Sequence, residues 1–204
     1  MQKVKISPLF VIWIIFLIKF QSAFVLPLFC AITLHEMGHL FFGKLLKIKI
    51  KSFNLSILGA RIQTENILSY TDEFLLASGG PFFGLMGFLF SIPLIMQNQS
   101  QPFIASFLLP FALISLCLTI FNLIPLSTLD GGRMLFCLLC RLFSLPFALK
   151  IIRLTSFFTL FAFWIFSVYM MIKISAGLSM LVFCSIFFAK CFIFDTKNRD
   201  FESF

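Results

Sequence analysis

The sequence predicts an all-α polytopic membrane protein of about six transmembrane helices, with a short β-hairpin at one membrane face. Three observations predict it. Of the 204 residues, 60% are hydrophobic and 12% are charged, with 32 phenylalanines. A soluble domain is usually about half apolar and about a quarter charged. The apolar residues recur in long stretches, and the basic residues gather between them. The net charge of +8 therefore reads as basic flanks to membrane spans, not as a nucleic-acid surface.

A helix needs about 20 apolar residues to cross the hydrocarbon core. Expected spans fall at about residues 6–20, 23–43, 74–96, 103–126, 154–172 and 175–194. The first is short and follows Lys3 and Lys5, as a signal peptide would, but no small-x-small cleavage site follows it. Six crossings put both termini on one side. Of the 16 Lys and Arg, all but Lys19 and Lys173 then fall on that side, so the termini are expected in the cytoplasm. A bacterial cell membrane is the expected location.

Residues 47–64, KIKIKSFNLSILGARIQT, behave differently. Ile48, Ile50, Phe53, Leu55 and Ile57 largely alternate with polar residues, and Gly59 offers a turn. This is the expected cytoplasmic-face hairpin. At the third span, Thr71 is expected to cap the helix, with Asp72 and Glu73 in its first turn facing the dipole. Ser78, Gly79, Gly80, Gly84 and Gly87 offer small surfaces for close helix approach. Pro81 is expected to kink or break this helix. No internal repeat or linker is visible, so residues 1–204 read as one domain, without a PDZ-like insertion or a C-terminal regulatory domain.

The 6 cysteines are scattered: Cys30, Cys117, Cys137, Cys140, Cys184 and Cys191. Free thiols are expected. Cys137 and Cys140 form a C-x-x-C without a second pair, in apolar surroundings, and read as small hydrophobes.

Residues 33–40 read TLHEMGHL, inside an apolar run. Ionisable groups at membrane depth are expensive and suggest a functional site. His35-Glu36-Met37-Gly38-His39 is an H-E-x-x-H, and it holds both of the chain's 2 histidines. On a helix, positions four apart lie about 6 Å apart along the axis, so both imidazoles can reach one metal ion. Glu36, beside the first ligand, is placed to take a proton from a water that the metal activates. The plain alternative is that both imidazoles simply hydrogen-bond other helices. Three costly groups at ligand spacing argue against it.

Zinc suits nitrogen and oxygen donors, and a catalytic zinc keeps three protein ligands. The third must come from elsewhere among the chain's 8 acids. Glu65, Asp72 and Glu73 flank the third span; Asp195, Asp200 and Glu202 lie in the tail; Asp130 stands in FNLIPLSTLDGGRM beside Gly131 and Gly132. Depth favours Asp130. With Lys44 marking the end of the second span, His39 lies about 7 Å and His35 about 13 Å inside it. Asp130 follows the fourth span, just within the region whose cytoplasmic end Arg133 marks.

The H-E-x-x-H at 35–39 and the N-x-x-P-x-x-x-L-D-G-G formed by Asn122, Pro125, Leu129, Asp130, Gly131 and Gly132 resemble the site-2 protease family of intramembrane zinc metalloproteases. Gly80-Pro81 is similar to that family's short motif. The layout looks most like the sporulation branch, whose stage IV protease processes a sigma-factor precursor. The resemblance implies one Zn2+ per chain held by His35, His39 and Asp130, with Glu36 as general base. It also implies a substrate cleft near Asn122, Pro125, Gly80 and Pro81. Thr128 stands where many members have a second proline. The expected activity is hydrolysis of a peptide bond in a membrane-anchored protein near the cytoplasmic side of the bilayer. Regulatory membrane subunits are compatible with it, and nucleic acid is not an expected partner. A zinc transporter would spread its ligands along a path through related halves, whereas these polar groups share one depth. A non-catalytic scaffold would not need the complete ligand set.

Overall fold

A computed structural model describes residues 3–6, 24–48, 50–56, 59–64, 68–97 and 101–174, with 182, 185 and 186. The elements in chain order are β1 (Lys3–Ile6), α1 (Val25–Leu45), β2 (Ile50–Ser56), β3 (Gly59–Thr64) and α2 (Tyr70–Gln97). A π-helical turn (Ile104–Leu108) then leads into α3 (Leu109–Asn122), followed by α4 (Asp130–Leu142) and α5 (Leu145–Ile174). They form two compact units: Met1–Leu68 with Leu75–Asn122, and Ser69–Phe74 with Leu123–Phe204.

In the first unit, α1 turns one face inward through Pro27, Ala31, His35, Gly38, His39 and Gly43, steps of three and four that keep to one side of a helix. Its end is a Schellman turn. Lys47 takes a left-handed φ of 54°. Ile48 N–H donates to Gly43 O at 2.9 Å, and Lys47 N–H to Lys44 O at 3.1 Å. α1 packs on α3. It also meets α2 backbone to backbone: a Cβ on Gly38 would strike the carbonyl of Gly79, and one on Gly79 that of Gly38. Gly84 gives room to Thr119, whose Oγ1 donates to Ser115 O at 2.8 Å. These are the close approaches that small residues permit between membrane helices.

The start of α2 is capped by Ser69, not by Thr71 as expected. Asp72 N–H donates to Ser69 Oγ at 3.1 Å, and Ser69 Oγ donates to Asp72 Oδ2 at 2.7 Å. Pro81 does not break α2, which runs through both Pro81 and Pro93.

In the second unit, α4 packs on α5 around Phe136, Cys137, Ala148 and Ile152, with Tyr70 and Phe74 against them. Residues 123–129 form a tight turn folded onto the start of α4. A Cβ on Gly131 would strike the Leu123 carbonyl, and one on Gly132 the Leu126 carbonyl. Glycine is required here for close backbone approach. Ser127 N–H donates to Oγ of the buried Ser156 on α5 at 3.0 Å.

The expected fold class needs correction on two counts. It is not all-α: the expected hairpin is present as β2 and β3, antiparallel with Ser56 opposite Gly59, but β1 joins β2 in parallel to complete a three-stranded sheet of order β1-β2-β3. Ile6, the expected start of the first span, ends β1. Nor are six spans found among the described residues. Among the described residues, three helices are long and apolar enough to cross a membrane: Val25–Leu45, Tyr70–Gln97 and Leu145–Lys173. The fourth expected span, 103–126, contains the shorter apolar helix Ser106–Asn122, because the chain turns after Asn122 to reach Asp130. The rest of the first expected span lies outside the described residues, as does most of the last. Large apolar side chains such as Phe90 and Ile172 are 70% and 71% exposed, which suits lipid and not water.

Candidate metal centre

The helical period of α1 puts His35 and His39 on its buried face, 4% and 7% exposed, with ring centroids 5.0 Å apart. His39 Nδ1–H donates to the carbonyl oxygen of Leu76 at 2.8 Å. That bond places the proton on Nδ1 and makes Nε2 the nitrogen whose lone pair can bind a metal. Gly80 shows where both rings point. A Cβ there would collide with Nε2 of His39 and with Nε2 of His35. The two nitrogens thus converge beside a position that lacks a side chain. Glu36, next to His35, is half-buried.

Asp130 opens α4 in its first turn and is buried. A carboxylate there is favoured by the helix dipole. Three residues on, Arg133 Nε donates to Glu73 Oε1 at 3.0 Å, and its Nη2 bonds the same oxygen. Burial alone would lower the Arg133 pKa, but Glu73 and then Asp130 more than offset it and hold the group above its ordinary value.

Among the described residues, His35, His39 and Asp130 are a group of three able to hold one metal ion. Each offers one ligand atom, and these atoms lie within 4.8 Å of one another. Two imidazole nitrogens and one carboxylate oxygen, with a preset tautomer and a glycine beside them, fit zinc.

Of the expected cleft residues, Gly80 and Pro81 are buried on α2, with Gly80 against the histidines. Asn122 ends α3 half-buried, its Nδ2 donating to Leu118 O at 2.9 Å, and Pro125 is half-buried in the 123–129 turn. Sequence reasoning did not reach the Leu76 carbonyl, the Glu73–Arg133 pair or Ser156. Only the acid and base in the first turns of α2 and α4 left any trace in the sequence.

A buried histidine–carboxylate cluster in a chain with membrane-crossing helices defines the class as a membrane protein with a metallohydrolase-like site. The model of Peptidase family M50 matches residues 63–166, about half of the chain, and the chain belongs to that family. It is 30% identical over 125 residues to a zinc metalloprotease of Methanocaldococcus jannaschii, covering 60% of this chain and 36% of that one. It is 34% identical over 131 residues to a Synechocystis sp. protein named as a candidate zinc metalloprotease, covering 60% and 31%. The chain thus spans about a third of the length of these relatives. Its fold is similar to that of the site-2 protease from Methanocaldococcus jannaschii, with a TM-score of 0.63 at 19% identity, over 92% of this chain and 88% of that one.

Proposed function

We propose that this chain is a zinc-dependent intramembrane endopeptidase that cleaves a membrane-anchored protein near the cytoplasmic side of the bilayer. The observation that carries the reading is the buried His35, His39 and Asp130 group, with ligand atoms within 4.8 Å, in a chain where Glu36 directly follows His35. His35, His39 and Asp130 hold the ion. The chemistry that zinc supplies when bound is Lewis acidity, which polarises a scissile carbonyl and acidifies a water. Glu36 accepts the proton from the attacking water and returns it to the leaving amine. Asn122, Pro125 and Pro81 line the approach of the substrate, whose helix unwinds locally to expose a peptide bond. Water enters from the cytoplasmic side.

The substrate class we favour is a transcription-factor precursor or its membrane anchor, as the likeness to the sporulation branch suggests, with regulatory membrane subunits controlling access. β3 has β2 on one side and no strand on the other among the described residues. That edge can receive an extended substrate strand by β-augmentation. If replacing residues 53–57 with a flexible linker leaves cleavage intact, the edge plays no part.

Co-expression with single-span membrane proteins tests the reading. Wild type releases a new fragment. Glu36→Gln binds zinc as before and releases none, since general acid–base catalysis is worth about 10²–10⁴-fold. A Glu36→Gln variant that still cleaves refutes the proposal.

A further inference from the structure

The Glu73–Arg133 pair lies entirely within the second unit, and the mechanism above makes no use of it. Arg133 sits in the first turn of α4. A cation there opposes the positive end of the helix dipole, so the helix itself gives no reason for it. It also has two acids to choose between. Asp130 is three residues back, a neighbour on the same helix surface, and its charge is felt at Arg133. Glu73, in the first turn of α2, is the acid that it bonds: Nε donates to Oε1 at 3.0 Å, and Nη2 to the same oxygen. The Glu73 side chain is 11% exposed and that of Arg133 34%. The carboxylate is thus the more buried partner of the two.

Arg133 turned toward Asp130 would form a charge-assisted bond with the same carboxylate that the proposed function assigns to zinc. We infer that Glu73 is a positioning residue, which holds Arg133 on itself and so keeps the guanidinium from competing with the metal for the Asp130 carboxylate. This inference rests on the assignment of Asp130 as a ligand. It differs from a merely structural ion pair in one respect. Loss of Glu73 alone liberates a competing cation, whereas loss of both charges does not.

The test measures zinc affinity of the purified full chain in detergent, by competition with a chromophoric chelator, with helix content checked by circular dichroism. Glu73→Gln keeps the size of the side chain and removes the negative charge that holds the guanidinium. It should weaken zinc binding by about 10- to 100-fold, the usual scale for outer-shell partners. The double variant Glu73→Gln/Arg133→Gln should recover most of that loss. Wild-type affinity in Glu73→Gln, or a double variant as weak as the single, overturns the inference. If Asp130→Ala, with Glu73 and Arg133 intact, binds zinc as tightly as wild type, the ligand assignment itself fails. That failure is distinguishable because it shows in a variant that leaves the pair untouched.

Discussion

Gly80 is the residue whose importance the sequence hides best. The H-E-x-x-H is legible because its geometry is local: one helix period brings His35 and His39 to one face. The reason for Gly80 lies on another helix, since the space it leaves is filled by the two imidazole tips. A methyl group there must displace one ring or the other, and both are buried. Gly80→Ala should therefore reach the membrane but lose at least about tenfold in zinc affinity, of the order that ligand disorientation costs; metal competition on the purified variant measures it. Cys137 makes the opposite case. Burial, and then the nearby Glu73 carboxylate, push its thiol up to about 12. It stays protonated from pH 6 to 9 and supplies neither nucleophile nor metal ligand. Cys137→Ala should leave zinc content and cleavage unchanged, and a fall in zinc stoichiometry would contradict this. Ser69 lies between these extremes. S-x-x-D before an apolar run is a readable capping signal, yet Thr71, one step inside the helix, drew the assignment.

Among the elements, the 123–129 turn separates what the chain's pattern reveals from what it conceals. Pro125 and Gly131-Gly132 announce irregular backbone. They do not announce how short α3 becomes, because apolar residues continue past Asn122 and hydropathy alone extends the span. The sheet was half legible for a related reason. Alternation from Ile48 to Ile57 is a local pattern, whereas β1 pairs Lys3 with Ser52 and Ile6 with Leu55 across a long intervening segment that no local signal bridges. What holds the turn is also non-local. The Ser127 amide donates to Ser156 Oγ on α5, where Ser156 is 2% exposed. Ser156→Ala leaves a half-buried N–H without that acceptor and should cost about 1–3 kcal/mol. The detergent-solubilised variant should melt at a lower temperature than wild type, whereas Ser144→Ala, at the exposed start of α5, should cost less. Equal melting points for Ser156→Ala and wild type would show that Ser156 does not hold the turn.

For the whole molecule, the charge count and the span count bear on different questions. Six spans were inferred from apolar length, which cannot tell a crossing helix from a short one that stops at a turn. On the described helices the orientation argument gives an expectation that labelling can test. α1 ends with Lys44 in its last turn, and Lys47 follows it. α2 begins soon after the basic 47–61 segment and ends at Gln97 with no basic residue in its last turn. Basic residues accumulate on the cytoplasmic side of short loops, so the end of α1 and the start of α2 should face the cytoplasm and Gln97 the opposite compartment. In a background without native cysteines, Gln97→Cys should react with a membrane-impermeant maleimide in intact cells. Lys47→Cys should react only after permeabilisation. The reverse pattern would turn the helices over and place the cytoplasmic entrance proposed for water and substrate on the wrong side. The orientation and the catalytic reading therefore stand on one measurement, because a site that draws water from the cytoplasm needs its basic rim there.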